Sequence, residues 1–194
     1  NILKTHQIDT AKKIILFPAR ITSWKGQLEF IDVIKKMDTQ NILILFAGDT
    51  KNENYTKLFR DKIKKNNLEG VCKILGSVNQ YQIQSLYKLA DLSVSFPLRA
   101  EGFGRTISES LYSKTPVLAF DYGGVKNQLA NLSDMFKVKP QDYQALPAKI
   151  EKLLSLSEVE KKEALEGVQS VIESNFSKIN MVNQYLKLYE SFES

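Results

Sequence analysis

The sequence predicts an α/β fold in which a parallel sheet of about six strands is covered by helices on both sides and followed by a helical C-terminal tail. Two observations carry this. Short apolar runs alternate with longer amphipathic stretches through the first 140 residues, and those runs are continuously apolar, as strands with both faces buried must be. Beyond Pro140 only helical periodicity remains.

Residues 12–19 (KKIILFPA) are the first strand candidate, and KGQLEFIDVIKKM places Leu28, Ile31, Ile34 and Met37 near helical spacing. NILILFAG, bounded by Gly48, is the second strand, with NYTKLFRDKIKKNNL as its helix. VCKILGS, NQYQIQSLYKLA, DLSVSFP and GRTISESLYSK continue the strand-helix alternation. TPVLAFD is a fifth strand, GGVKNQLAN a short helix and DMFKVK a sixth strand. Three helical stretches follow: DYQALPAKIEKLLS, SEVEKKEALEGVQSVIESNF and SKINMVNQYLKLYESF. Pro147 fits the first turn of its helix or kinks it. In the last stretch Ile179, Val182, Leu186, Tyr189 and Phe192 form an apolar stripe, part of which is expected to pack on this domain's own core. A surface for a missing neighbour is the other use.

A chain of 194 residues, 43% of them hydrophobic, can bury one full core. Cys72 is the only cysteine and His6 the only histidine, so an internal disulfide is excluded and no Cys/His cluster has metal-ligand spacing. With no apolar stretch near the roughly 20 residues of a bilayer span, and no signal-peptide core, a cytoplasmic location is expected. The net charge of +5 comes largely from lysines scattered among acids, the pattern of solvated helix faces, so no nucleic-acid partner is expected. Only four residues are arginine: Arg20, Arg60, Arg99 and Arg105. Arginine used this sparingly suits sites that need its planar fork for phosphate or carboxylate.

In open parallel sheets, ligands bind at the carboxyl ends of the strands, which directs attention to the strand-to-helix loops. SFPLRAEGFGRTISES runs from a strand into a helix beginning near Gly104. Gly102 and Gly104 permit close backbone approach, and unpaired N–H groups at a helix start can grip phosphate oxygens. Glu101 before the glycines suits a sugar hydroxyl, and Glu109 can accept two hydrogen bonds from a vicinal diol such as a ribose. FPARITSWKG adds Arg20 and Lys25 between a strand end and a helix, with Thr22 or Ser23 as caps. Taken singly, each has an ordinary reading: a solvated loop acid for Glu101, a helix-dipole acid for Glu109 and surface cations for Arg20 and Lys25.

Together the ordered blocks PARITSWKG, LFAGD, LGSV, EGFGRTISES and TPVLAFDYGG, spread over residues 14–128, resemble the C-terminal, nucleotide-sugar-binding half of retaining GT-B glycosyltransferases. That is the glycogen-synthase-like group with many lipopolysaccharide and capsule transferases. The resemblance implies a Rossmann-like domain over residues 1–178, with 179–194 as a helix crossing back to an N-terminal acceptor-binding domain. It implies a donor that is a UDP-, GDP- or ADP-sugar, no cofactor and no metal. In the family pattern of two glutamates separated by seven residues, Glu109 would bind ribose hydroxyls and Glu101 the donor sugar near its anomeric carbon. Arg20 and Lys25 match the diphosphate-binding pair, Gly102, Phe103, Gly104 and Thr106 the backbone cradle, and Gly76 and Val78 the base pocket. Ala19, Thr50 and Lys114 depart from the pattern at positions usually glycine, and Lys114 is thereby pushed toward left-handed geometry.

The family needs two such domains and this chain has length for one, so it is expected to bind donor without efficient transfer. The full-length enzyme would transfer a sugar with retention to a cell-surface glycan or lipid precursor, with room for peripheral association at the cytosolic membrane face. Two other readings compete: a nucleotide-sugar 2-epimerase on the same fold, whose histidine machinery is not evident here, and a non-catalytic basic nucleic-acid-binding module.

Overall fold

A computed structural model describes residues 2–192. Six strands, β1 (Lys13–Pro18), β2 (Ile42–Ala47), β3 (Cys72–Gly76), β4 (Leu92–Ser95), β5 (Val117–Phe120) and β6 (Lys137–Val138), make one sheet in the order β3-β2-β1-β4-β5-β6. Every neighbouring pair is parallel. The helices of the first 130 residues are α1 (Ile2–Thr5), α2 (Gln27–Ile34), α3 (Glu53–Lys65), α4 (Gln80–Leu89), α5 (Arg105–Tyr112) and α6 (Gly124–Leu129). The tail adds α7 (Leu146–Ser155), α8 (Glu158–Ala164), α9 (Val168–Phe176) and α10 (Lys178–Glu190). This is the helix-covered parallel sheet that the alternation predicted, in the Rossmann-like form that the resemblance implied.

The continuously apolar strands are explained by two cores. On one face Ile15, Phe17, Ile44 and Phe46 pack with the buried sides of α2, α3 and α7. On the other, Ile14, Leu16, Leu43 and Leu45 meet Leu86 and Tyr87 of α4. Because neighbouring residues point to opposite faces, both positions of each pair must be apolar. Near the carboxyl ends of the strands the first core becomes aromatic: the Phe17 ring lies 5.5 Å from Phe30 and Phe46 and 6.4 Å from Phe96, which is 5.2 Å from Phe120. These rings form a floor beneath the loops of that edge.

Three sequence expectations are corrected. Residues 134–136 of the sixth strand candidate form a 3-10 turn, whose N-cap Ser133 accepts from the Met135 amide, so only Lys137 and Val138 pair with β5. Residues 157–176 are two helices, because the chain turns at Gly167 with φ +71°. No residue of α10 is buried, so none of its apolar stripe packs on this domain's core; Ile179 is 75% and Phe192 76% exposed. Residues 193 and 194, the end of the segment expected over 179–194, lie outside the described residues, as does residue 1 of the first domain. Pro147 sits in the first turn of α7 and Lys114 takes φ +59°, both as expected. Among the described residues no helix is long and apolar enough to cross a membrane.

At the opposite end of the sheet Asp91, just before β4, ties three elements together. It accepts from the Ile14 amide (2.9 Å) and pairs with Lys13 (3.0 Å) and with Lys161 of α8 (3.3 Å). Burial alone would raise its pKa, but the Ile14 amide and the two ammonium groups outweigh it and hold the carboxyl below its usual range. A depressed folded pKa means this stability is present above the unfolded value, about 3.9, and lost as pH falls through the folded one. Asp91→Asn should therefore lower the thermal midpoint at neutral pH by a margin that disappears in acid; an equal margin at both ends of a pH series would show that ionisation of Asp91 contributes nothing.

Candidate functional site

In this strand order β1 and β4 are sequence-distant neighbours from which the chain departs in opposite directions, so the loops that follow them flank a crevice. Those are the two loops singled out from sequence. Three links join them. The Leu98 amide donates to the Trp24 carbonyl at 2.8 Å. Gly26, at φ +82°, lies so close to β4 that a Cβ would fall 2.1 Å from the Phe96 carbonyl oxygen. The third link is the ion pair between the Lys25 ammonium and the Glu101 carboxylate, with both side chains largely buried.

The crevice is a cleft of about 620 Å³. It is lined by Arg20 and Lys25 from the loop after β1, by Glu101 from the loop after β4 with Arg105, Thr106 and Glu109 of α5, and by Ser77, Val78, Gln80 and Ile83 from the loop after β3 and α4. Arg20, Lys25, Glu101, Thr106, Glu109 and Val78 are thus brought together. Gly76, at the end of β3, does not line the cleft, and its carbonyl accepts from the Gly48 amide at 3.0 Å. Gly102, Phe103 and Gly104 form the corner between Glu101 and α5, and Gly104 caps that helix in a left-handed conformation. The Phe103 ring turns toward α9, 5.6 Å from Phe176.

The charges are not equivalent. Lys25 is neutralised by Glu101, whereas Arg20 is exposed and forms no ion pair among the described residues. Its backbone is held instead: the buried Gln27 donates to the Arg20 carbonyl at 2.7 Å, and the Ile21 amide donates to Asp49 at 2.9 Å. Glu109 accepts from the Tyr87 hydroxyl at 3.1 Å and from Arg105 Nε at 2.9 Å. Burial and the adjacent Glu109 carboxylate push the Tyr87 phenol well above its ordinary pKa, so it stays a donor. Arg105 is 80% exposed, and a pair of that kind is worth at most about 0.5 kcal/mol, so it yields readily to another donor.

Sequence reasoning missed the supports of this site. Tyr87 orients Glu109, and Gln128 donates to the carbonyls of Phe103 and Gly104, fixing the corner. The Gly124 amide donates to the Glu101 carbonyl at 2.9 Å, and a Cβ at Gly124 would lie 2.0 Å from the Gly102 oxygen. Gln128 left a faint signal, a polar residue between Val125 and Leu129 on a short helix. Tyr87 left none, since an aromatic at helical spacing reads as core. Chemically, the cleft offers an unpaired guanidinium together with two oriented carboxylates, which suits an anion flanked by hydroxyl groups. Among the described residues no group of three or more His, Cys, Asp or Glu side chains could hold a metal ion.

Since the junction of the two loops leaves no room for a side chain at position 26, Gly26→Ala should destabilise the protein by more than about 1 kcal/mol in denaturant unfolding. Unchanged stability would mean the loops do not meet there.

Residues 1–166 match the family model described as Glycosyl transferases group 1. A trehalose synthase of Thermococcus litoralis is 28% identical over 203 residues, covering 98% of this chain and 48% of the relative. The putative glycosyltransferase EpsD of Bacillus subtilis is 24% identical, over 92% and 45%. The chain spans about half the length of the curated relatives it matches. Among solved structures, a glycosyltransferase from Rickettsia africae superposes with a TM-score of 0.88 at 28% identity, covering 97% of this chain and 50% of that one. Anabaena HepE in complex with UDP-glucose shares the fold with a TM-score of 0.84 at 24% identity, over 98% and 52%. The family model covers most of the chain, including both loops of the cleft, and the chain belongs to the group 1 glycosyl transferases.

Proposed function

We propose that this chain is the donor-binding half of a retaining glycosyltransferase that takes a nucleoside-diphosphate sugar, a UDP-, GDP- or ADP-sugar, and acts on a glycan or lipid precursor. The observation that carries the reading is the unpaired Arg20 guanidinium, which shares one cleft with the Lys25–Glu101 pair and with the oriented Glu109. The fold shared with Anabaena HepE, whose complex contains UDP-glucose, supports the donor class.

In this reading the base lies at the Ser77–Val78 end, the ribose hydroxyls on Glu109, the diphosphate on Arg20 and the first amides of α5, and the sugar at Glu101. The bond between the anomeric carbon and the diphosphate oxygen breaks through an oxocarbenium-like state, and charge builds on the departing diphosphate. Arg20 stabilises that charge without reorganisation, because no internal carboxylate has to release it first. Lys25 joins once the donor draws it from Glu101, and the freed Glu101 carboxylate then faces the electron-poor sugar. The family resemblance assigns this charge stabilisation to cations rather than to a metal, and it supplies retention.

A charge-assisted hydrogen bond contributes roughly 1.5–3 kcal/mol, so Arg20→Ala should weaken UDP, GDP or ADP binding about ten- to a hundred-fold in titration calorimetry. Glu101→Gln releases Lys25 and should leave nucleotide affinity equal or higher, while transfer by the full-length protein is lost. Unchanged affinity in the first variant rejects the diphosphate role of Arg20, and unchanged transfer in the second rejects the role of Glu101.

The exposed stripe of α10 is the surface that would pack on an N-terminal acceptor-binding domain. Leu186 is 54% exposed, and no residue of α10 is buried in this chain. Leu186→Glu should therefore leave the melting temperature of the chain unchanged and lower that of the full-length protein; no change in the latter would leave the stripe without that partner.

A further inference from the structure

Arg99 is an arginine that the donor-binding reading does not use. Its guanidinium lies over the Trp24 ring, 4.7 Å from the centroid, and it forms no ion pair among the described residues. Lys25 approaches the same ring at 4.2 Å. Two cations on one indole repel each other, and only one is compensated, since Lys25 has Glu101. The uncompensated positive charge is therefore on Arg99. The stack also fixes the plane of the guanidinium and prepays part of the side-chain ordering that a ligand would otherwise demand. The platform is itself held, because the Leu98 amide donates to the Trp24 carbonyl at 2.8 Å.

Position decides what such a group can meet. Arg99 and Trp24 are not part of the cleft wall, whereas their neighbours Glu101 and Lys25 are. Trp24 adjoins Lys25 and Arg99 lies two residues before Glu101, so the stack borders the Lys25–Glu101 pair, where the donor reading puts the sugar. We infer that Arg99, stacked on Trp24 at the outer rim, is a subsite for an anionic acceptor and takes a phosphate or carboxylate group carried by the molecule that receives the sugar. This rests on the cleft being the nucleotide-sugar site.

The sequence contains one tryptophan, so the intrinsic fluorescence of Trp24 reports on this platform alone. With the donor site saturated by UDP, glucose 6-phosphate and glucuronate should each be titrated against glucose as the neutral control. The charged sugars should change Trp24 emission saturably and glucose should not. A larger response to one of them identifies phosphate or carboxylate as the favoured group. Arg99→Gln should weaken that response about tenfold or more, and Arg99→Lys should fall between, while UDP affinity stays unchanged in both. An equal response in the parent and Arg99→Gln, an equal response to glucose, no response to either charged sugar, or displacement of UDP by glucose 6-phosphate would each overturn the subsite. Failure of UDP to bind while glucose 6-phosphate still binds through Arg99 would instead remove the donor reading and leave an anion site on its own.

Discussion

The structure turns on the junction between the loops after β1 and β4. A parallel sheet entered from its middle leaves these two loops side by side, and here they approach until the backbone at Gly26 touches the carbonyl of Phe96. Only after that contact can Lys25 reach Glu101, and only with Lys25 neutralised does Arg20 become the dominant positive charge of the cleft. Residues 76 positions apart are thus paired through a steric fact about one glycine.

The junction is rigid because it rests on packed material. Rings from β1, β2, α2 and the end of β4 fill the space below it, and polar side chains placed against apolar ground hold its backbone from above. Gln27 and Gln128 do so at opposite sides of the cleft, each spending its amide on loop carbonyls. An amide buried in this way loses its hydration, so it remains on its carbonyl partner and transmits the order of the core to the loop. A site of this kind needs little rearrangement to receive an anion, which is where preorganised charge gains over solvent.

Charge is distributed by function more than by number. The net +5 is spread over lysines on helix faces, and the ion pairs of Asp32, Asp91 and Glu158 serve the scaffold. Against that background two arginines at the carboxyl edge, Arg20 and Arg99, stand without carboxylate partners, one inside the cleft and one at its rim. The exposed apolar side of α10 is the corresponding anomaly in packing: a helix that touches α9 but buries none of its stripe, in a chain about half as long as its relatives.

The elements themselves were legible in the sequence, because strand and helix are written in local periodicity: each of the first five strands lies inside its apolar run, Pro147 falls in the first turn of its helix, and Lys114 takes the left-handed geometry expected at a position that usually holds glycine. The loop residues Arg20, Lys25, Glu101 and Glu109 were legible too, as charged groups at the strand ends where such sheets bind ligands. What local pattern could not contain was who meets whom. The split at Gly167 depended on a residue that helices tolerate in other settings, and the short β6 on a turn capped by Ser133. Pairing of Lys25 with Glu101, orientation of Glu109 by Tyr87 and stacking of Arg99 on Trp24 join positions that are far apart along the chain. Such contacts exist only once strand order and close packing have brought the loops together, so the tertiary structure alone decided which charges are spent and which remain for a ligand.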